Sequence, residues 1–302
     1  MEQSSEKSLD FEPPTDLPRL PRRLSDSSKY DYGRVVIVAG SRGMAGAAAL
    51  SSMAALRSGA GLVEVIVPES IQATVAGFDP CVMTYGLPED SEGRFALSAL
   101  AHIHKRCKRA DVVALGPGLG RSDDLVAIVH DLWKTLSMPA VIDADALWAL
   151  AQNSEWQKVK HAGVRVLTPH AGELQYLLGD NPSRRLSHPR KDLEHAAIRV
   201  AKEAGVVIVL KGSASLVTDG TTSTHNKTGN PGMATAGTGD VLTGIITALV
   251  GQQLSAFDAA RLGVWIHGVA GDAASIECGE YSLTASQVIG CLPIPIKRCV
   301  AT

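Results

Sequence analysis

Residues 111–143 read DVVALGPGLGRSDDLVAIVHDLWKTLSMPAVID, and the fold is decided there. An apolar run at 111–115 gives way to the turn Gly116-Pro117-Gly118-Leu119-Gly120. A helical stretch over 123–136 follows, and a second apolar run at 140–143 ends on Asp143. Strands that are apolar on both faces belong in a parallel sheet covered by helices on each side. The stretch is therefore a strand–helix–strand unit, and the same pattern extends in both directions. Further strands are expected at 35–39, 62–67, 164–167 and 206–210, with further helices at 45–58, 172–178 and 192–204. This alternation predicts an α/β fold, a three-layer α/β/α sandwich with a central, mostly parallel sheet. After Leu210 the pattern changes. Segments 215–218 and 221–225 flank Asp219-Gly220, a pair that favours a type I′ hairpin turn. Two helices, 239–250 and 255–276, complete the pattern, and no internal repeat is present.

The 302-residue chain is 45% hydrophobic, 20% charged and 4% aromatic, so it can bury a large aliphatic core. A formal net charge of −2 provides no electrostatic basis for nucleic acid as a partner. No apolar run reaches the ~18 residues needed to span a bilayer. A basic-then-apolar leader is absent too, so a cytoplasmic protein without membrane contact is expected. Cys81, Cys107, Cys278, Cys291 and Cys299 are dispersed without a Cys-x-x-Cys pair, which suits a reducing compartment and argues against a zinc site. Residues 1–32, polar and proline-containing, read as a flexible or loosely docked tail, with an oligomer-contact arm as the alternative, and 33–302 as one domain. The 29 glycines exceed the usual ~7% and cluster between apolar runs, where backbone can approach a ligand closely.

In open parallel sheets ligands bind beyond the carboxyl ends of the strands. Five loops rich in glycine or reactive residues fall there: Gly40-Ser41-Arg42-Gly43, Gly116 to Gly120, Asp143-Ala144-Asp145, Thr168-Pro169-His170 and Lys211-Gly212. A sixth element, Ala236-Gly237-Thr238-Gly239-Asp240, leads directly into the apolar helix at 241–250. Small residues leave the N–H groups of that first turn open, and the helix dipole adds partial positive charge, which makes an anion hole suited to phosphate. The alternative is a glycine-rich turn with Asp240 as a dipole-favoured helix-start residue. Neither a Walker loop nor a complete dinucleotide fingerprint is present.

Together these stretches, with Arg57-Ser58-Gly59-Ala60-Gly61-Leu62-Val63, Asp143-Ala144-Asp145-Ala146-Leu147, Thr168-Pro169-His170-Ala171-Gly172-Glu173 and 230–240, closely resemble the ADP- or ATP-dependent NAD(P)H-hydrate dehydratases, a carbohydrate kinase-related branch of the ribokinase-like superfamily. The resemblance runs from Gly33 to about Leu283. It implies a ribokinase-like fold and a repair lyase that dehydrates (S)-NADHX and (S)-NADPHX to NADH and NADPH while splitting ADP, or ATP, with Mg2+. By the same resemblance Asp240 is the general base, and Gly237, Thr238 and Gly239 hold the transferring phosphoryl group. Lys211, Gly212, Ser213, Ala214 and Ser215 would hold the nucleotide, and Gly46, Ala47, Gly118, Gly120, His170 and Asp240 the hydrate. Glu173 would help organise magnesium through water, three residues after a His170 that replaces the Asn of sugar kinases.

Asp143 and Asp145 alternate across a strand end, so one ion does not easily take both; Asp145 is expected to cap the helix at Ala146, and Asp143 to touch magnesium at most through water. His267 is expected to be a packed helix residue. A small-molecule kinase phosphorylating an alcohol such as a vitamin precursor is the rival enzyme, and a non-catalytic nucleotide sensor the rival binding protein. With about 32 residues before the first strand, the epimerase domain often fused to this family is not expected in the chain, so a separate NAD(P)H-hydrate epimerase is expected as pathway partner. The family also suggests a homotetramer.

Overall fold

A computed structural model describes residues 11–180 and 189–301. Its sheet is built from β1 (Arg34–Val38), β2 (Leu62–Pro68), β3 (Met83–Leu87), β4 (Val112–Leu115), β5 (Ala140–Ile142), β6 (Arg165–Leu167), β7 (Val207–Leu210), β8 (Leu216–Thr218) and β9 (Ser223–His225). These nine strands form one sheet in the order β3-β2-β1-β4-β5-β6-β7-β8-β9. The run from β3 to β7 is parallel, and the last two pairings are antiparallel.

The helices are α1 (Ala45–Arg57), α2 (Gln72–Ala76), α3 (Leu100–Cys107), α4 (Asp123–Thr135), α5 (Asp145–Ala151), α6 (Ala171–Leu177), α7 (Arg190–Ala204), α8 (Thr238–Gly251), α9 (Ala256–Cys278), α10 (Ala285–Cys291) and α11 (Pro293–Cys299). Side chains of a strand alternate between faces, and β1 shows both halves buried. Val35 and Ile37 pack with α1, α8, α9 and α10 on one face. Val36 and Val38 pack with α3 to α7 on the other. The expected three-layer α/β/α sandwich is therefore the architecture.

Three details differ from expectation. The edge strand β3 went unanticipated, because Met-Thr-Tyr-Gly-Leu is only partly buried and carries no strong apolar pattern. The hairpin turn is not type I′, which needs positive φ at two residues: of Asp219 and Gly220 only the glycine has one. Thr218 pairs with Ser223 across a four-residue loop, and the Asp219 carboxylate accepts from Thr221 N and Thr222 N at 2.8 and 2.7 Å. Within the expected tail, residues 1–10 lie outside the described residues, but 11–32 are docked. Leu17 and Leu20 are buried, Leu20 N donates to Cys299 O at 2.8 Å, and Asp16 pairs with Arg261. No helix of the described residues is long and apolar enough to cross a membrane.

Helices α1 and α8 lie almost backbone to backbone. A Cβ on Gly244 would collide with the Ser51 carbonyl oxygen and come within 2.8 Å of Ala54 Cβ. This contact sets the depth at which α8 meets the sheet edge. Gly244→Ala is expected to lower stability by about 1–3 kcal/mol, because backbone rather than a side-chain tip must move. Gly290→Ala in α10, where an added Cβ meets nothing, is expected to be neutral or stabilising by up to ~1 kcal/mol. Urea denaturation of the two variants checks the contrast.

Candidate active site

Helix α8 begins at Thr238 after Gly237, which holds a left-handed φ of 89°. Helix geometry leaves the first N–H groups of such a turn without intrahelical acceptors, so those of Thr238, Gly239 and Asp240 face the sheet edge. The Thr238 hydroxyl is engaged elsewhere, donating to Met233 O at 2.9 Å and Thr235 O at 3.0 Å. What this turn leaves open is backbone. A Cβ on Gly239 would stand 3.4 Å from Lys211 Nζ, so the ammonium lies directly beside the turn.

Lys211 follows β7, and its N–H donates to Pro169 O at 2.8 Å, tying the ends of β6 and β7 together. Its Nζ donates to Asp143 Oδ1 at 2.8 Å and lies 3.5 Å from Glu173 Oε2. Asp143 is 1% exposed and takes a second bond from Thr243 Oγ1 at 2.6 Å. Burial works to raise the Asp143 pKa, but the Lys211 charge and the hydroxyls of Thr243 and Thr168 outweigh it and hold the carboxyl below its usual range. Burial works to lower the Lys211 pKa, and the two carboxylates outweigh that in turn. Both Asp143 oxygens are thus engaged by neighbouring side chains.

Glu173 and Asp240 titrate the other way. Burial raises Glu173, with Asp143 adding to the shift and Lys211 opposing it. Burial lifts Asp240 to about 7, with Asp143, Asp145 and Glu173 adding and Lys211 opposing. A carboxylate poised near neutrality beside an anion hole suits a general base.

Asp145 is not the cap expected for its helix. α5 starts at Asp145 itself, preceded by Ala144 at φ 49°, and Ala144 provides no side-chain cap. The Asp145 carboxylate instead accepts from Gly120 N at 2.9 Å and lies 3.6 Å from Arg121. It therefore fastens the 116–120 loop. Gly116, at φ 133°, has no room for a side chain, because a Cβ there would collide with Asp143 O.

His170 is the N-cap of α6. Its Nδ1 accepts from Gly172 N at 3.0 Å and Glu173 N at 3.2 Å, while Glu173 Oε2 accepts from His170 N at 2.7 Å. Two donors on Nδ1 leave the neutral ring protonated at Nε2. The imidazole is 58% exposed, and its Nε2 lies 3.5 Å from Glu173 Oε1. Gly118 and Ala47 meet: a Cβ on Gly118 would come within 2.9 Å of Ala47 Cβ. A Cβ on Gly46 meets only open space, and one on Gly120 would press on the Arg94 side chain at 3.1 Å.

A cavity of about 450 Å3 opens on the other side of Lys211 and Gly239, and Gly212, Ser213, Ser215 and Thr238 also line it. Ala214 does not line it; its carbonyl accepts from Arg190 at 3.1 Å. The same guanidinium donates to Leu210 O at 3.0 Å and Lys211 O at 3.1 Å, and its Nε to Glu194 at 3.0 Å. Arg190 thus pins the whole segment, a role that a lone arginine at a helix start gave no sign of.

The family described as NAD(P)H-hydrate dehydratase matches residues 35–293. The chain belongs to that family. It is 42% identical over 282 residues to a bifunctional NAD(P)H-hydrate repair enzyme of Moorella thermoacetica, covering 93% of this chain and 52% of that one. A protein of the same description from Escherichia coli is 37% identical over 278 residues, covering 90% and 49%. The chain thus spans about half the length of these curated relatives. Among solved structures, an ADP/ATP-dependent NAD(P)H-hydrate dehydratase from Bacillus subtilis, co-crystallised with ATP/Mg2+, is similar at 26% identity with a TM-score of 0.77, over 94% of this chain and 99% of that one.

The buried pair at the centre of the site has a testable energetic signature. Lys211→Met strands Asp143 without its partner and is expected to cost about 3–5 kcal/mol. Adding Asp143→Asn to Lys211→Met removes the stranded charge and is expected to restore part of that loss. Equilibrium denaturation of the single and double variants measures both.

Proposed function

We propose that this chain is a nicotinamide-nucleotide repair lyase. It dehydrates (S)-NADHX and (S)-NADPHX to NADH and NADPH, coupled to cleavage of a nucleotide phosphate, with ADP the first candidate donor and ATP the second. The observation that carries this is Asp240, lifted to about 7, at the mouth of the α8 anion hole. The nucleotide cavity lies on one side of that turn. His170 lies across Lys211 and Glu173 from it, and Gly118 with Ala47 at the neighbouring strand end.

Asp240 takes the proton of the hydrate hydroxyl as that oxygen bonds to phosphorus and the bond to the departing nucleotide breaks. The N–H groups of 237–239 and the Lys211 ammonium hold the charge on the transferring phosphoryl group. Phosphate then leaves with the carbon–oxygen electron pair, pushed by the ring-nitrogen lone pair. Loss of a proton from the adjacent ring carbon restores the dihydronicotinamide. The His170 Nε2–H, fixed by the cap at Nδ1, orients the hydrate by donating to it.

Magnesium takes one or two carboxylates together with phosphate oxygens and water. The described residues contain no ready-made group of three or more metal-ligating side chains. Asp240 and Glu173, both raised first by burial and then by neighbouring negative charge, fit a cation that arrives with the nucleotide. Glu173 would act through water, since its Oε2 already accepts from His170 N and lies near Lys211. When bound, the ion would neutralise phosphate charge. A kinase that stops after phosphorylation would use the same Asp240, but His170 in place of the sugar-kinase Asn and the family membership favour the dehydratase.

Incubation with (S)-NADHX, magnesium and ADP or ATP is expected to restore the reduced-nicotinamide absorbance with one phosphate released per NADH. No recovery with either nucleotide, by folded protein, would overturn the proposal. Asp240→Asn is expected to lower turnover by about 10²–10⁴. In the parent protein, kcat/KM should rise with pH through an acid limb near 7 as Asp240 ionises. Because the folded-state pKa is raised, ionising Asp240 costs stability, increasingly so as pH climbs from the unfolded value toward 7. Asp240→Asn should therefore raise Tm at pH 8 and leave it unchanged at pH 4, as calorimetry at the two pH values would show.

A further inference from the structure

A hydrate of NADH or NADPH reaches well beyond the ring that reacts: a ribose, a diphosphate and a second nucleoside follow it. Gly118, Ala47, His170 and Asp240 serve the ring end, and none of them is a lysine or arginine. Three guanidinium groups adjoin the 116–120 loop, which Ser41 Oγ ties to the first strand end at Gly118 O, and they are not equally occupied. Arg42 donates to Ser91 O at 2.9 Å and to Glu89 Oε1 at 3.3 Å. Arg94 donates to Asp90 Oδ2 and to Arg121 O, both at 2.8 Å. These two brace the turn at 89–94. Arg121 is different: its side chain is 49% exposed, and its one carboxylate neighbour among the described residues, Asp145, lies 3.6 Å away. The other Asp145 oxygen is taken by Gly120 N.

The Arg121 guanidinium is nonetheless held in place. Its central carbon stands over the Trp148 ring, 5.0 Å from the centroid, and over the Tyr176 ring at 5.5 Å. Ring contacts fix a guanidinium without consuming its N–H donors. Tyr176 belongs to α6, whose N-cap is His170, and at 1.5 Å per residue the two are about 9 Å apart along the helix axis. A ribose and the phosphate attached to it span a gap of that order. Arg121 does not line the cavity beside Lys211 and Gly239, so the phosphates within its reach are those of the other substrate. A guanidinium fork matches phosphate oxygens in pairs. We propose that Arg121 binds the diphosphate of the hydrate, which makes it a residue that selects the dinucleotide form of the substrate. The proposal rests on the dehydratase reading and on the hydrate ring lying at His170 and Gly118.

Steady-state kinetics of the parent protein, Arg121→Gln and Arg121→Lys, with magnesium and ADP or ATP, test it. Arg121→Gln is expected to raise KM for (S)-NADHX about tenfold, far more than it changes kcat or the nucleotide KM, the pattern of a binding contact shared by ground and transition states. Arg121→Lys, which keeps the charge without the fork, should fall between. The preference in kcat/KM for (S)-NADHX over the hydrate of reduced nicotinamide riboside, which has the ring and no phosphate, should drop about tenfold in Arg121→Gln. Where the riboside hydrate turns over too slowly to measure, KM for (S)-NADHX against KM for the nucleotide decides; if Arg121→Gln does not fold, Arg121→Lys decides. An unchanged KM for (S)-NADHX would overturn the proposal. An equal loss with both hydrates would do so too, and would mark Arg121 as a fastener of the 116–120 loop through Asp145. Either result leaves the dehydratase reading standing. A parent protein that restores NADH with neither nucleotide overturns both.

Discussion

The site depends on a single ammonium. Among the described residues Lys211 stands between Asp143 and Glu173, with Asp240 and Asp145 close enough to feel the same field. The lysine compensates Asp143 most fully, through a 2.8 Å contact. Burial raises both Glu173 and Asp240, neighbouring carboxylates add to it, and what Lys211 has left does not offset the rise. Two carboxylates in one cluster thus acquire opposite tendencies, Asp143 fixed as an anion and Asp240 poised to take a proton. Fixed neighbours around a single cation are a general way to tune one carboxyl to neutral pH.

Backbone geometry puts these groups together. Gly116 permits the fourth strand end to approach the Asp143 carbonyl, and the positive φ of Ala144 turns the chain between Asp143 and Asp145. Asp143 then enters the core while Asp145 reaches Gly120. Non-glycine residues in such conformations concentrate at functional sites, where surrounding structure sustains the strain. Gly237 does similar work at the head of α8, and the close packing of α1 and α8 sets how far that helix end projects. Arg190 adds a separate clamp, three carbonyls of 210–214 on one guanidinium.

Much of this was legible in the chain. The parallel strands announced themselves as apolar runs, and the loops that carry chemistry all followed them. Asp240 and the anion turn could be recognised because small residues before an apolar helix have few other uses. Less was legible where the signal was spread over distant residues. The pairing of Asp143 with Lys211 and Thr243 joins positions 68 and 100 residues from Asp143. Asp145 looked like a cap because an acidic residue before a helix usually is one; here the strained turn at Ala144 sends it elsewhere. Phe11 to Tyr32 looked unstructured by composition, yet Leu17 and Leu20 find a buried seat against the carboxyl-terminal segment.

By itself the amino-acid sequence determined the layered α/β architecture, the edge of the sheet where ligands are expected, and the identity of the groups that meet there. These follow from local periodicity and from the backbone freedom of glycine, which each segment carries wherever it is placed. Tertiary structure alone decided the electrostatics: which carboxylate Lys211 neutralises, which one is lifted to about 7, and which His170 nitrogen holds the proton. Coulomb interactions and desolvation depend on distance and burial, and neither is a property of position along the chain.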